Sequence, residues 1–296
     1  MAKVTQNGQK ILHGGPENPY KNLEMDIMNK RLIFQVYIPI RGKSKLYDFC
    51  VDSVSKYCKK HDIDHIVMTE PRLRINPNMK RTNRNKVGLM KEAGYLPIFE
   101  KEWAFTYLDK YDSIAVIDAD IYIRESAPNI FDELPSEYDW GGVLERDLPL
   151  TGSHRKKIQG YSKDMFSKVP CNGVDWEWKD NIAAFMNMGM MIFNQSIRNH
   201  VPEYKEPNQF IHRMEFEDLV DGVGLFRYST DQVLLNYWLK ECKARVKYMD
   251  WRWNALYRGV EDKMISKAHF IHFFLKEQIR PGKGEDLNVV KKALGI

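Results

Sequence analysis

The residues best suited to chemistry are Asp118 and Asp120, which close the run Ser113-Ile114-Ala115-Val116-Ile117-Asp118-Ala119-Asp120. A short apolar run with β-branched residues reads as a strand buried on both faces, as in the middle of a parallel sheet. Side chains alternate along a strand, so the two acids share a face if the strand continues through them. Paired carboxylates repel each other and are costly to desolvate unless a positive charge sits between them. A divalent cation supplies that charge most simply, and open α/β sheets bind ligands at the carboxyl ends of their strands. Taken alone, the pair reads equally well as two solvated loop acids after a core strand. Asn187 and Gly189 interrupt the apolar run from Ala184 to Asn194. A glycine inside a strand often marks close approach of a ligand, whereas the methionines around it read as core filling. Asp231 and Gln232 open a helical run, where capping by Ser229 or Thr230 is enough to explain the acid. His269 and His272 lie in the last strand-like run, with Lys276, Arg280, Pro281 and Lys283 close behind.

The elements that must position these residues follow from periodicity. Residues 1 to about 30 read as a loosely ordered extension. Leu32 to Ile38 is a first strand stopped by Pro39, Leu46 to His61 an amphipathic helix, and Asp64 to Thr69 a second strand. This βαβ opening makes a parallel, doubly wound sheet the default. No GxGxxG follows the first strand, which argues against a dinucleotide site. Tyr95 to Lys110 reads as a helix with Trp103, Phe105, Tyr107 and Leu108 inward. Ile121 to Ile123 continues extended, and Trp140 to Leu144 is a further strand. Thr151 to Asp180 reads as a long irregular loop, functional or mobile, whose Trp176 and Trp178 read as core packing or loop anchors at least as readily as stacking platforms for a ligand. The basic segment from Arg72 to Lys91 is either a phosphate- or acceptor-binding lip or a solvated face, and the solvated face is preferred.

The chain has 296 residues, 43% hydrophobic and 29% charged, with a formal charge of +5. These values fit a globular protein with a real core, and a mild positive charge suits an anionic small ligand. Lys and Arg are spread along the chain, which argues against nucleic-acid binding. The four cysteines show no CxxC and read as reduced thiols. There is no run of roughly 18 apolar residues to span a membrane, and no apolar signal core, so the expectation is a cytoplasmic protein.

In order, YDSIAVIDAD, the NMG of FMNMGMMIFN, TDQVLLNYW, WRWNALY and FIHFFL with a basic residue and proline behind resemble the glycogenin-like glycosyltransferases of family 8. The resemblance spans about residues 32 to 281. It implies a GT-A fold: Rossmann-like α/β, with a mixed, mostly parallel central sheet flanked by helices in a single domain. The domain would cover residues 31–282, with a nucleotide-binding half over 31–141, a sugar and acceptor half over 142–282, and a C-terminal tail over 283–296.

By the same resemblance, Asp118, Ala119 and Asp120 match the D-x-D that holds Mn²⁺ (or Mg²⁺) and the donor diphosphate. Asn187 and Gly189 match the N-x-G under the donor sugar, and Asp231 and Gln232 the D-Q that contacts it. Asn254 matches the asparagine of the W-N element. His272 matches the third metal ligand, with His269 as a substitute. Tyr37 and Ile38 fall where the base is contacted, and Lys101 is an approximate match to a lysine before the D-x-D strand. Arg280-Pro281 replaces Lys-Pro two residues late, and Lys276 competes for the diphosphate. The implied catalytic group is Asp231, Gln232 and Asn187. The implied function is metal-dependent hexosyl transfer from a UDP-sugar, with retention and slow donor hydrolysis, to an acceptor that stays open, as does oligomeric state. A bacterial or viral cytoplasmic enzyme fits such a stand-alone chain. The alternatives are a degenerate sugar-nucleotide binder and a sugar-nucleotide nucleotidyltransferase. The latter needs a phosphate loop that Pro39-Ile40-Arg41-Gly42-Lys43 imitates poorly.

Overall fold

The strand that leads into Asp118 is held in the middle of a sheet, and its residues Ile114 to Ile117 are apolar and buried. The computed structural model describes residues 30–84, 92–167, 174–276, 279–280 and 282–296. The expected N-terminal extension, the end of the basic segment (85–91), Cys171 and Pro281 lie outside the described residues. Strands β1 (Arg31–Val36), β2 (Asp64–Met68) and β3 (Ser113–Ile117) run parallel. Strand β4 (Ile121–Ile123) leaves this sheet, and β5 (Trp140–Leu144) and β6 (Met186–Asn194) return to it. Strand β7 (Val246–Tyr248) is an edge, whereas β8 (Ala255–Leu256) and β9 (Phe270–His272) join β4. The main sheet has the order β2-β1-β3-β6-β5-β7, and the small one β4-β9-β8. Strand β6 is antiparallel to both β3 and β5, so the sheet is mixed and mostly parallel rather than wholly parallel. A strand buried on both faces shows the same apolar run in either direction, which is why the pattern did not reveal it.

The helices are α1 (Lys45–His61), α2 (Gly152–Phe166), α3 (Pro207–Ile211), α4 (Glu217–Asp221), α5 (Asp231–Glu241), α6 (Asp262–Ile265) and α7 (Leu287–Leu294). The segment expected to be a helix around Trp103 is a 3-10 helix, Pro97–Tyr107. It buries Phe105 in an aromatic cluster. Trp140 stacks on Phe193 at 5.1 Å, Phe105 meets Phe193 at 5.4 Å, and Phe210 meets Trp238 at 5.0 Å. Each such ring contributes about 1.5–3 kcal/mol by leaving water.

Two expectations are corrected. The stretch from Thr151 to Asp180 is not irregular throughout, because α2 occupies Gly152–Phe166, capped by the Thr151 hydroxyl, which accepts from the His154 amide. Its buried face includes His154 and Ser162 as well as Ile158, Met165 and Phe166, so the apolar period was faint. The strand through Asp118 also stops sooner than expected. Its last residue is Ile117, and the chain turns through Ala119 and Asp120 before β4 begins in the other sheet. The Asp118 amide donates to Gly189 O, the Ile121 amide to Asp118 O, and the Phe273 amide to Asp120 O. These bonds satisfy the turn from three sides, and the seam between the two sheets runs through it. Within the expected C-terminal tail, α7 buries Val290 and Leu294 and lies against α1.

A candidate metal and donor site at the seam between the sheets

The turn delivers both acids to one place. Asp118, Asp120 and His272 each present a ligand atom, all within 4.8 Å of one another. His272 Nε2 lies 3.3 Å from Asp120 Oδ1 and 3.7 Å from Asp118 Oδ2. His272 comes from β9, whose register sets it opposite Ile121 on β4. His269, outside this strand, packs instead on Trp253 at 4.9 Å. Gly189 has a local reason to be glycine: a Cβ there would collide with the His272 imidazole.

The orientation of His272 is fixed from behind. Asn254 Nδ2 donates to Asn187 Oδ1 at 2.9 Å and to Asn187 O at 3.2 Å. That commits the Asn254 carbonyl oxygen to His272 Nδ1, at 3.2 Å. Nδ1 is therefore the donor, and Nε2 faces the two carboxylates. A histidine whose other nitrogen is pinned in this way is prepared to ligate a metal. Two carboxylates and one imidazole suit Mn²⁺ better than an all-oxygen Mg²⁺ site, so the residues present fit the cation implied by the resemblance.

Electrostatics agree with this geometry. Burial pushes the Asp118 pKa up, offset by Lys101 and His272. Burial acts the same way on Asp120, but the His272 charge and hydrogen bond outweigh it and hold that acid below its ordinary value. For His272, burial lowers the pKa and Asp120 then raises it, with a net upward shift. Behind Asp118, the Gln35 amide donates to Asp118 O at 3.3 Å, while its carbonyl oxygen accepts from His65 Nε2 at 2.9 Å.

Lys101 sits inside the site rather than beside it. Its Nζ reaches Asp231 Oδ2 at 2.6 Å, Asp118 Oδ1 at 3.0 Å and Met188 O at 2.9 Å. One ammonium thus ties the 3-10 helix, the β3 end, β6 and α5 together. Asp231 is buried and turned toward Lys101, so capping does not explain it. The cap is Thr230, whose hydroxyl accepts from the Gln232 amide at 3.2 Å. Gln232 Oε1 accepts from the Met188 amide at 3.3 Å.

These residues line a cavity of about 510 Å³. Tyr37, Ile38, Lys101, Asp118, Ala119, Asp120, Asn187, Gly189, Asp231, Gln232, His272 and Lys276 all reach it; Arg280 does not and is exposed. Lys276 Nζ lies 4.8 Å over the Tyr47 ring at the rim. The Tyr37 hydroxyl accepts from the Ser44 amide at 2.8 Å, which fixes that wall to the start of α1. Sequence reasoning missed Glu145, which follows β5 and receives the Asn187 side chain at 3.4 Å and His154 at 3.3 Å. Its place just past a strand's carboxyl end was the signal that could have found it. Of the two loop tryptophans, Trp176 is buried and Trp178 is 45% exposed. Cys50, Cys58 and Cys242 are free thiols. No helix among the described residues is long and apolar enough to cross a membrane.

No family model and no curated protein sequence matches the chain. Among solved structures it is similar to a glycosyltransferase involved in the glycosylation of the major capsid of PBCV-1. The TM-score is 0.50 and the identity 10%, over 88% of this chain and 99% of that one. It also aligns with the galactosyltransferase LgtC in complex with donor and acceptor sugar analogues (TM-score 0.43, 14% identity, 89% and 95% covered). A third is mouse xyloside xylosyltransferase 1 (TM-score 0.42, 12% identity, 82% and 96% covered). At such identity the first likeness speaks for the fold alone: a single mixed α/β domain of the GT-A type.

Proposed function

We propose that the chain is a metal-dependent glycosyltransferase of the glycogenin-like kind. It would move a hexose from a UDP-sugar to an acceptor with retention, and hydrolyse the donor slowly when no acceptor is present. The observation that carries this reading is the convergence of Asp118, Asp120 and His272 within 4.8 Å, in a cavity that also takes Asn187, Asp231, Gln232 and Lys276.

Asp118, Asp120 and His272 would hold the cation, Mn²⁺ by their chemistry. When bound, it would act as a Lewis acid that neutralises charge growing on the leaving diphosphate. Lys276 at the rim adds a second positive charge for the same diphosphate. Tyr37 and Ile38 form the wall on the nucleotide side. Asn187 and Gln232 present small polar groups to the sugar hydroxyls. Asp231, paired with Lys101, would orient the sugar or attack its anomeric carbon as the diphosphate leaves. In this reading residues 31–141 bind the nucleotide, and residues 142–282 supply the sugar and acceptor walls.

The test is UDP release from a panel of UDP-hexoses with Mn²⁺. Wild type should release UDP, and Asp120→Ala should lower the rate by at least 100-fold, of the order lost when transition-state charge is left unneutralised. A panel in which no donor is turned over sinks the reading. UDP binding without turnover would instead favour the degenerate sugar-nucleotide binder.

A further inference from the structure

Within the basic segment, Arg72, Arg74 and Lys80 are exposed, as the preferred solvated face expects, whereas Arg81 and Arg84 turn inward. Residues 78–84 lie as a strap across α4 and the loop that leads into α5. The Asn78 amide donates to Asp221 Oδ1 at 2.7 Å, and Arg81 pairs with Glu217 and Asp218. The Asn83 amide donates to Gly222 O at 3.3 Å, and Asn83 Oδ1 accepts from the Gly224 amide at 2.5 Å.

Arg84 is the centre of the strap. It is 6% exposed, which is rare for a guanidinium, and it faces carbonyls rather than a carboxylate. Its Nε donates to Val220 O at 3.0 Å. Nη1 donates to Ser229 O at 2.8 Å. Nη2 donates to Leu219 O at 2.5 Å and to Ser229 Oγ at 2.6 Å. The Leu219 and Val220 carbonyls end α4, where the helix itself has no donors to offer them. Gly222 follows with φ +67°, and a Cβ there would collide with the Arg84 side chain. Burial lowers the Arg84 pKa to about 10, with Asp221 opposing, so the group stays charged at neutral pH.

Ser229 is the residue before the Thr230 cap, and α5 begins with Asp231. Asp231 is therefore held at both ends, its carboxylate by Lys101 and its backbone, through Ser229, by Arg84. We propose that Arg84 is a positioning residue that fixes the sugar-side wall of the cavity by stapling the entry of α5 to the end of α4. The functional half of this inference rests on the glycosyltransferase reading. Lysine cannot substitute, because its three donors radiate from a point and cannot meet this planar set of carbonyls.

The test compares wild type, Arg84→Lys and Ser229→Ala as full chains. Ser229→Ala removes the hydroxyl that accepts from Arg84 Nη2 and donates to Leu219 O, and keeps the contacts of Arg84 to the three carbonyls, so it answers if Arg84→Lys does not fold. The first readout is amide hydrogen exchange by mass spectrometry. Exchange at Thr230–Val233 should rise at least tenfold in either variant while α1 is unchanged. The second is UDP-hexose turnover with Mn²⁺. In Arg84→Lys, kcat should fall by roughly 10- to 100-fold, the scale of a 1 Å misplacement. The affinity for UDP should stay within about twofold, because the nucleotide wall does not touch the staple. Wild-type exchange at α5 in both variants overturns the inference whatever the chain's activity. Faster exchange with wild-type kcat, or equal losses of kcat and UDP affinity, overturns its functional half. If wild type turns over no donor, the glycosyltransferase reading fails, and the exchange measurement still decides the staple.

Discussion

At the scale of residues, the site depends on a chain of hydrogen bonds that sequence pattern only half shows. Asp118 and Asp120 stood out as paired acids at the end of an apolar run, whereas His272 was singled out only by the resemblance. Asn254 was visible only as part of the W-N match. The structure gives it a physical task, since its carbonyl sets the tautomer of His272. Asn254→Ala should weaken Mn²⁺ affinity by about 10- to 100-fold, the usual loss when a supporting partner of a ligand is removed. Isothermal titration with UDP present would measure it.

The pH dependence follows from His272. Its folded pKa is raised by Asp120 against the opposing effect of burial. The stability it contributes is therefore fully present below the ordinary histidine value of about 6.5 and is lost as pH rises through the folded value. Mn²⁺ needs the same nitrogen without its proton, so metal affinity should rise over that window. In metal-free protein, the Tm of wild type relative to His272→Ala should fall as pH rises from about 6.5, while Mn²⁺ affinity rises. A Tm difference that grows with pH would contradict the sign.

At the scale of elements, α1 is capped from far away. Ser44 stands at its N-cap without capping it. Glu285 does so instead, accepting from the Lys45 amide at 2.8 Å and from the Ser44 hydroxyl at 2.6 Å. Because Ser44 also binds the Tyr37 hydroxyl, this contact from the C-terminal segment steadies the cavity wall at Tyr37. Glu285→Ala should cost about 1 kcal/mol, the typical loss of a helix cap, measured by urea unfolding. Such a cap crosses 240 residues of sequence, so no local signal could have disclosed it. The same holds for Lys101. Its position in an aromatic run was readable, but its three partners come from three other elements. Helix α2 escaped for a different reason, since His154 and Ser162 occupy buried positions where a hydrophobic period expects apolar ones.

At the scale of the whole molecule, the α/β class was legible from the alternation β1-α1-β2 and from the buried run of β3. Strand direction was not, because β6 is apolar on both faces, and neither was the split after Ile117 that sends Ile121–Ile123 into a second sheet. That split matters for function. It brings the turn after β3 of one sheet against β9 of the other, with Asp118 and His272 facing each other across the seam, so a ligand there would tie the two sheets together. The UDP–Mn²⁺ pair, bound as one unit at about 100 times its dissociation constant, should stabilise the chain by about 2.7 kcal/mol. For a domain of this size that is a Tm rise of about 5–10 °C, read by calorimetry. UDP alone should give much less.

The central claim is that Asp118, Asp120 and His272 form one cation site. Electron paramagnetic resonance of free Mn²⁺, titrated with the chain in the presence of UDP, tests it most directly. Wild type should remove one Mn²⁺ per chain from the free signal, His269→Ala should do the same, and Asp120→Ala and His272→Ala should leave the signal free. If Asp120→Ala and His272→Ala bind Mn²⁺ as wild type does, the account is contradicted.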